Sequence, residues 1–181
     1  MSRPGRKGMV MARFEPANPA FEARVRDSFA RQRAMAHIGA SLVAVRPGEV
    51  EIELPYREEL TQQHAYIHGG IVGMIADNAC GYAAFALMPA EASVVTVEYK
   101  INLLAPAEGE RLVARGRVVR PGRTVMIAEA WVHAVQGGAE APVAVALATL
   151  LTLHGRADAP READASPAGR FAKLRRASHS R

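Results

Sequence analysis

The stretch between Glu59 and Glu91 carries a single charged side chain, Asp77, among residues that are otherwise apolar, small or uncharged. A helix that is apolar on all sides is buried on all sides, and the run from Gly70 to Met88, followed by Pro89, has this character. A lone carboxylate in such a helix is costly unless it has a partner or a chemical task. We therefore expect the chain to fold around this helix, with Asp77 as a buried structural acid or as a functional group.

Two glycines, Gly69 and Gly70, stand at the predicted start of this helix, directly after His68. Glycines permit a tight turn and leave the first backbone N–H groups of a helix accessible. Such amides can stabilise a developing oxyanion, and the carboxylate of Asp77 can activate water or attack directly. His68 is either a hydrogen-bonding residue at the helix start or a group that polarises a substrate carbonyl.

The rest of the chain predicts one more helix and six strands. Asn18 and Pro19 are typical of an N-cap and first helical position, and Phe21, Val25 and Phe29 then form one apolar stripe. That helix is expected to end near residues 37–39. Runs rich in Val, Ile, Leu and Thr, separated by Pro and Gly turns, predict strands over 41–46, 49–54, 93–104, 110–120, 123–135 and 142–153.

Consecutive strands with short connections favour an antiparallel sheet. Six such strands and one wholly apolar helix predict an α+β fold, in which the sheet curls around the helix within a single domain over residues 18–154. The outer face and the edge strands must then be covered, so we expect at least a dimer.

The net charge of +5 comes from the two ends of the chain. Residues 1–36 have eight Lys or Arg against three Asp or Glu, residues 155–181 have seven against three, and residues 37–154 have eight against twelve. A mildly acidic fold argues against a specific nucleic-acid partner. We expect residues 1–17 to be flexible and residues 155–181 to form a disordered basic tail.

The only cysteine, Cys80, cannot form a disulfide within the chain, and no secretory signal is recognisable, so we expect a cytoplasmic location. The central helix is about long enough to span a bilayer. However, Asp77 and Asn78 would lie near its middle, and it lacks an aromatic belt and flanking Lys or Arg clusters. No membrane association is therefore expected.

The His-Gly-Gly run, followed by six positions and then Asp77, resembles the hotdog-fold acyl-CoA thioesterases. Within them it is most similar to the phenylacetyl-CoA type, related to the 4-hydroxybenzoyl-CoA thioesterases that use an aspartate on the helix. The run from Thr96 to Ala107 and the turn from Arg120 to Arg123 are similar too. The resemblance covers about residues 20–153.

This resemblance implies a hotdog fold, a dimer that often pairs again into a tetramer, and an active site between subunits. It implies that Asp77 is the general base or nucleophile and that Gly70, with Gly69, points N–H groups at the thioester oxygen. Gln62 stands where relatives often have an Asn that holds the nucleophilic water. Thr96 stands where a Ser or Thr contacts the aspartate or water across the interface.

Two further groups are candidates for substrate binding. Arg120 and Arg123, joined by Arg117, could hold the phosphates of coenzyme A, since Arg suits phosphate recognition; a solvated hairpin tip is the alternative. Tyr82 and Phe85 lie beyond Asp77 on the helix and either line an acyl pocket or pack in the core.

The expected function is hydrolysis of acyl-CoA thioesters, with no cofactor or metal, coenzyme A being part of the substrate. The histidines show no ligand spacing with acids or with the cysteine. Two alternatives stay open: a hotdog acyl dehydratase or hydratase, which needs a His–acid pair, and a non-catalytic acyl-CoA sensor. The acyl group and the choice between dimer and tetramer are open as well.

Overall fold

The structure, a computed structural model, describes residues 14–159. The predicted flexible segment at 1–13 and the tail at 160–181 lie outside the described residues. The elements, in chain order, are α1 (Phe21–Ala30), α2 (Arg33–Ile38), β1 (Ser41–Arg46), β2 (Glu49–Pro55), a 3-10 turn (Glu58–Leu60), α3 (Gly69–Phe85), β3 (Ser93–Leu103), β4 (Arg111–Arg120), β5 (Val125–Gln136) and β6 (Ala139–Leu153).

The six strands form one antiparallel sheet in the order β1-β2-β4-β5-β6-β3. In β2 the three glutamates at 49, 51 and 53 are half-buried on one face, whereas Val50, Ile52 and Leu54 are buried on the other. This alternation is the pattern of a strand with one face in the core. The chain crosses from β2 through α3 to β3, so β3 becomes a free edge of the sheet.

Helix α3 lies directly on the concave face of the sheet and contacts β2, β3, β4, β5 and β6. It rests on β4 at Gly116, where a Cβ atom would come within 2.2 Å of the Ala79 carbonyl oxygen. Because adjacent strands are about 4.8 Å apart and a helix is about 10 Å wide, a sheet that touches one helix with five strands must curve around it. The expected α+β architecture, a curved six-stranded sheet on a central apolar helix, is confirmed.

The N-terminal helix differs from its prediction. The expected single helix is two helices, because Gln32 takes an extended conformation (φ −77°, ψ 97°) and turns the chain between α1 and α2. The predicted helix start is wrong by two residues: α1 begins at Phe21 with Ala20 at the N-cap position, and the Asn18 side-chain oxygen accepts a hydrogen bond from Ala20 N at 3.0 Å in the turn before the helix.

The ends of two predicted segments also shift. The central helix begins at Gly69 and ends at Phe85, three residues before Met88. Upstream of α1, Phe14 packs against the core and Ala17 N donates to the Leu87 carbonyl oxygen, so residues 14–17 adjoin the fold. Within residues 14–159, none of the helices has the length and apolar character needed to cross a membrane.

Candidate active site

Asp77 projects from the middle of α3 toward the free edge strand. Its Oδ1 accepts a 2.8 Å hydrogen bond from the Oγ1 hydroxyl of Thr96 on β3. Both residues are half-buried. The resemblance implied a contact across a subunit interface, but the structure makes it within one chain, because β3 runs alongside α3. Thr96 therefore orients one oxygen of the carboxylate.

The surroundings of Asp77 change its acidity. Burial raises the pKa of Asp77 above its ordinary value, because an apolar environment disfavours the charged form. The hydrogen bond from Thr96 acts against this by stabilising the carboxylate. A carboxylate that is partly removed from water is a stronger base than one in solvent, as a general base requires.

A cavity of about 200 Å³ opens beside Asp77, between α3, α1 and β3. Tyr82 and Phe85, the predicted pocket residues, line it together with Asp77 and Thr96. Both aromatic side chains are also buried in the core, as the packing alternative predicted. The remaining lining residues are Ser28, Gln32, Asn78, Gly81, Val94 and Asp158.

Sequence reasoning missed the part of this cavity that the N-terminal helices contribute. Ser28 lies in the last turn of α1 and Gln32 in the break between α1 and α2, and both bond the Tyr82 hydroxyl, at 3.2 and 2.9 Å. Nothing local in the sequence indicated that they face a residue fifty or more positions away.

The start of α3 is capped by its own histidine. His68 Nδ1 accepts a hydrogen bond from Gly70 N at 2.9 Å, so His68 acts as the N-cap of the helix. Of the two predicted oxyanion donors, the Gly70 N–H is therefore engaged, and only the Gly69 N–H has no acceptor among the described residues. The helix-start interpretation of His68 is confirmed.

Gln62 lies in the loop before α3 and turns back on that loop. The Gln62 side-chain oxygen accepts a hydrogen bond from His64 N. The backbone N–H of Gln62 donates to the Tyr66 carbonyl oxygen at 2.8 Å, and its backbone carbonyl oxygen accepts from Ala65 N at 3.0 Å. The Gln62 side chain thus stabilises a turn here, and it is not among the residues that line the cavity beside Asp77.

The three predicted arginines lie apart from the Asp77 cavity. Arg117 Nε forms a 2.7 Å ion pair with Glu129 on the outer face of the sheet. Arg120 and Arg123 are exposed around the β4–β5 turn, and Arg123 lines a second cavity of about 440 Å³ with Leu87 and Pro89. That cavity adjoins the C-terminal end of α3, whereas Gly69 and Gly70 form the N-terminal end of the helix.

Asp77 and the helix start are also separated within one chain. Asp77 comes seven residues after Gly70, which corresponds to about 10 Å along the helix axis. A single carbonyl group cannot contact both, because reacting atoms and oxyanion donors must lie about 3 Å from the group on which they act. Among residues 14–159, no three His, Cys, Asp or Glu side chains are placed to hold a metal ion.

Comparison with known proteins identifies the family. Residues 64–141, from the loop before α3 into β6, match the family model described as the thioesterase superfamily. The crystal structure of a thioesterase family protein from Silicibacter pomeroyi is 52% identical, with a TM-score of 0.73, and covers 75% of this chain and 99% of that chain.

Two relatives in sequence match a shorter part of the chain. A protein of Halobacterium salinarum named as a candidate esterase is 35% identical over 100 residues, which are 52% of this chain and 66% of that protein. Human acyl-coenzyme A thioesterase 13 is 33% identical over 88 residues, 47% of this chain and 61% of that protein. The chain thus spans about two thirds or less of the length of these two relatives.

The matched region contains the aspartate-bearing helix and the strand that holds its carboxylate, and the similarity to the Silicibacter protein extends over nearly all of that protein. The chain therefore has the hotdog fold and belongs to the thioesterase superfamily.

Proposed function

We propose that this protein hydrolyses acyl-CoA thioesters to a free acid and coenzyme A, with Asp77 as the general base or nucleophile. The observation that carries the proposal is the Asp77 carboxylate, held by Thr96 at the wall of a cavity that has room for an acyl group. The family supports thioester hydrolysis, and human acyl-coenzyme A thioesterase 13 is named for an acyl-CoA substrate.

The chemistry requires one oxygen to add to the acyl carbon and the carbon–sulfur bond to break. Asp77 either removes a proton from the attacking water or adds its own oxygen, forming an anhydride that water then opens. Coenzyme A leaves as a thiolate and takes up a proton from solvent. Since ordinary thiols have a pKa near 8.5, the sulfur leaves without a strong acid beside it, and the proposal calls for no cofactor or metal.

The site is proposed to be completed by a second copy of the chain. Strand β3 is a long free edge whose apolar side chains are exposed, including Val97 at 62% and Leu103 at 58%. Exposed apolar edge strands are templates for pairing with another strand. A two-fold symmetric dimer that joins two β3 edges would give one continuous sheet.

The direction of β3 supports the same arrangement. Thr96 lies beside Asp77, whereas Leu103 lies at the helix start, where a Cβ on Gly69 would come within 2.9 Å of it. Antiparallel pairing of two β3 strands about their middle, near Tyr99, reverses this order. It would bring Asp77 of one subunit level with Gly69 of the partner subunit. One substrate could then contact both groups, although they lie about 10 Å apart within each chain.

In this dimer the helix start supplies the oxyanion donors. The Gly69 N–H is available as it stands, whereas the Gly70 N–H becomes available only when the His68 ring turns away. The positive end of the α3 dipole adds to the stabilisation of the oxyanion. Arg120 and Arg123 are the candidates to hold the phosphates of coenzyme A, and the ion pair with Glu129 makes Arg117 the weakest of the three.

The dehydratase alternative is less well supported. It needs a histidine and an acid that act as a pair, but the Nδ1 atom of His68 already accepts the Gly70 N–H as the cap of the helix. The sensor alternative predicts binding of acyl-CoA without turnover.

Release of coenzyme A from a panel of thioesters, followed with a thiol reagent, tests the proposal. Short, medium and long acyl chains, phenylacetyl-CoA and hydroxybenzoyl-CoA would be compared for the wild type and Asp77→Asn. We expect turnover in the wild type and a loss of about 10²–10⁴-fold in the variant. Glu108→Gln, the same change at an exposed loop residue, is the matched control. No turnover of any thioester by folded wild-type protein would reject the proposal.

A further inference from the structure

Gly81 lies one helical turn beyond Asp77, on the same face of α3, and lines the same cavity. It is buried, yet a Cβ atom built there would have no atom within 4 Å. Two other buried glycines of the core are different: Gly73 would meet the Tyr99 hydroxyl at 3.2 Å, and Gly116 would meet the Ala79 backbone. Close packing therefore explains those two glycines but not Gly81.

A glycine inside a helix destabilises it relative to alanine. At Gly81 close packing does not require a glycine. The absence of a side chain instead leaves space in the cavity beside the Asp77 carboxylate. Since a cavity of about 150 Å³ can hold benzene, the 200 Å³ here has room for an acyl group of about six carbons.

The end of the cavity formed by α1 is polar. Gln32 Nε2 donates to the Tyr82 hydroxyl at 2.9 Å, and the hydroxyls of Ser28 and Tyr82 share one further bond at 3.2 Å. Two hydroxyl groups have two hydrogens, and the bond between them uses one. Whichever way that bond runs, one hydroxyl hydrogen has no acceptor among the described residues, so it can donate to a group in the cavity.

The charges around the cavity restrict what could accept this hydrogen. Asp77 and Asp158 are the charged residues in its wall, and no Lys or Arg of the described chain lines it. Arg31 is already paired with Asp158 at 2.6 Å and with Asp27, so its guanidinium group is not free to pair with a second anion. A carboxylate at the end of an acyl chain would therefore face Asp77 without a counter-ion, whereas a neutral oxygen would not.

We propose that the cavity takes an acyl group of medium length that ends in a neutral oxygen acceptor, such as a hydroxyl or carbonyl oxygen. Gly81 provides the room, and the Ser28–Gln32–Tyr82 cluster donates the hydrogen bond. These four residues determine specificity. This inference rests on the proposed thioesterase function and adds the class of acyl group.

The test compares three thioesters of equal length: hexanoyl-CoA, ω-hydroxyhexanoyl-CoA and adipyl-CoA. We expect kcat/KM of the wild type to be at least about tenfold higher for the hydroxylated chain than for hexanoyl-CoA, and lowest for adipyl-CoA. In the double variant Ser28→Ala/Tyr82→Phe the ratio of the first two should fall to about one. The double variant Ser41→Ala/Tyr56→Phe makes the same changes outside the cavity and should keep the wild-type ratio.

A second variant reduces the volume of the cavity without changing its hydrogen-bonding groups. Gly81→Val should lower kcat/KM for hexanoyl-CoA relative to acetyl-CoA at least about tenfold, because its side chain occupies the cavity. A wild type that does not distinguish the hydroxylated chain, a ratio that survives Ser28→Ala/Tyr82→Phe, or faster turnover of adipyl-CoA would overturn the inference while thioester hydrolysis stands.

Calorimetry on the Asp77→Asn protein measures binding without turnover, so it separates the acyl preference of the cavity from the proposed thioester hydrolysis. Tighter binding of ω-hydroxyhexanoyl-CoA than of hexanoyl-CoA, lost in the Ser28→Ala/Tyr82→Phe background, is the expected result. If wild-type protein shows this preference but hydrolyses nothing, the proposed function fails and the assignment of the cavity stands. Equal binding of the two thioesters would reject the assignment.

Discussion

Thr96 on the free edge strand donates a 2.8 Å hydrogen bond to Asp77 Oδ1 on the central helix. Both elements lie within residues 64–141, which match the family model, and the bond connects the proposed catalytic carboxylate to the strand on which we expect dimerisation. The following predictions concern this pair and the residues around it.

Removal of the Thr96 hydroxyl is expected to shift the pH dependence of hydrolysis. Burial raises the pKa of Asp77, and the hydrogen bond from Thr96 partly offsets that rise. In Thr96→Val the pKa of Asp77 should rise further, so the acid limb of the kcat/KM profile should move to higher pH. Thr96→Ser keeps the hydroxyl and should keep the wild-type limb. Identical limbs in the Val and Ser variants would show that the bond does not influence the carboxylate.

Asp77→Asn is expected to unfold at a higher temperature than the wild type at neutral pH, even though we expect it to lose most of its thioester hydrolysis. Because the folded-state pKa of Asp77 is raised, folding favours the neutral form, and the ionised carboxylate lowers the free energy of unfolding at neutral pH. That penalty should disappear as pH falls below the ordinary pKa of an aspartate, so the two melting temperatures should converge in acid. A variant less stable than wild type at neutral pH would contradict this.

Gly81→Ala is expected to stabilise the protein by about 0.5–1 kcal/mol, since alanine favours the helix and its methyl group meets open space. Gly116→Ala is the contrasting variant: its Cβ would lie 2.2 Å from the Ala79 carbonyl oxygen, so the helix would have to move off the sheet. Urea unfolding of the two variants measures both effects. Destabilisation by Gly81→Ala would mean that the cavity is smaller than described.

Loss of the His68 cap should weaken the start of the central helix. His68→Ala removes the acceptor of the Gly70 N–H and should lower the free energy of unfolding by about 0.5–2 kcal/mol. His68→Asn provides another good N-cap and should recover most of that loss. Chemical denaturation of the three proteins makes the comparison, and an Asn variant as unstable as the Ala variant would assign His68 a role other than capping.

A charge on the exposed edge strand should separate the subunits. Val97→Lys places an ammonium group at a position that is 62% exposed in one chain and buried in the proposed dimer. We expect folded monomers in sedimentation experiments and little thioester hydrolysis, because the helix start of the partner is missing. Val119→Lys, at an exposed position of β4, should leave association unchanged. A Val97→Lys protein that stays dimeric would move the interface elsewhere.

Local patterns in the sequence predicted most of the architecture. The alternation of Glu and apolar residues in β2, the Pro and Gly turns between strands and the apolar run around Asp77 each reflect whether a residue faces water or the core. The break between α1 and α2 was missed because Gln32 has no helix-breaking chemistry; its extended backbone accompanies a contact with Tyr82.

Residue types at short range encode burial and backbone freedom, so they were enough to identify the buried helix, its only charge at Asp77 and the glycines at its start. Three contacts follow only from the folded chain: Thr96 bonds Asp77 within one chain, His68 occupies the Gly70 N–H, and Ser28 and Gln32 form one end of the cavity. The first and third of these contacts join residues far apart in the chain, and the second depends on the orientation of one ring. No periodicity marks them, since they arise only when the sheet curves around the helix.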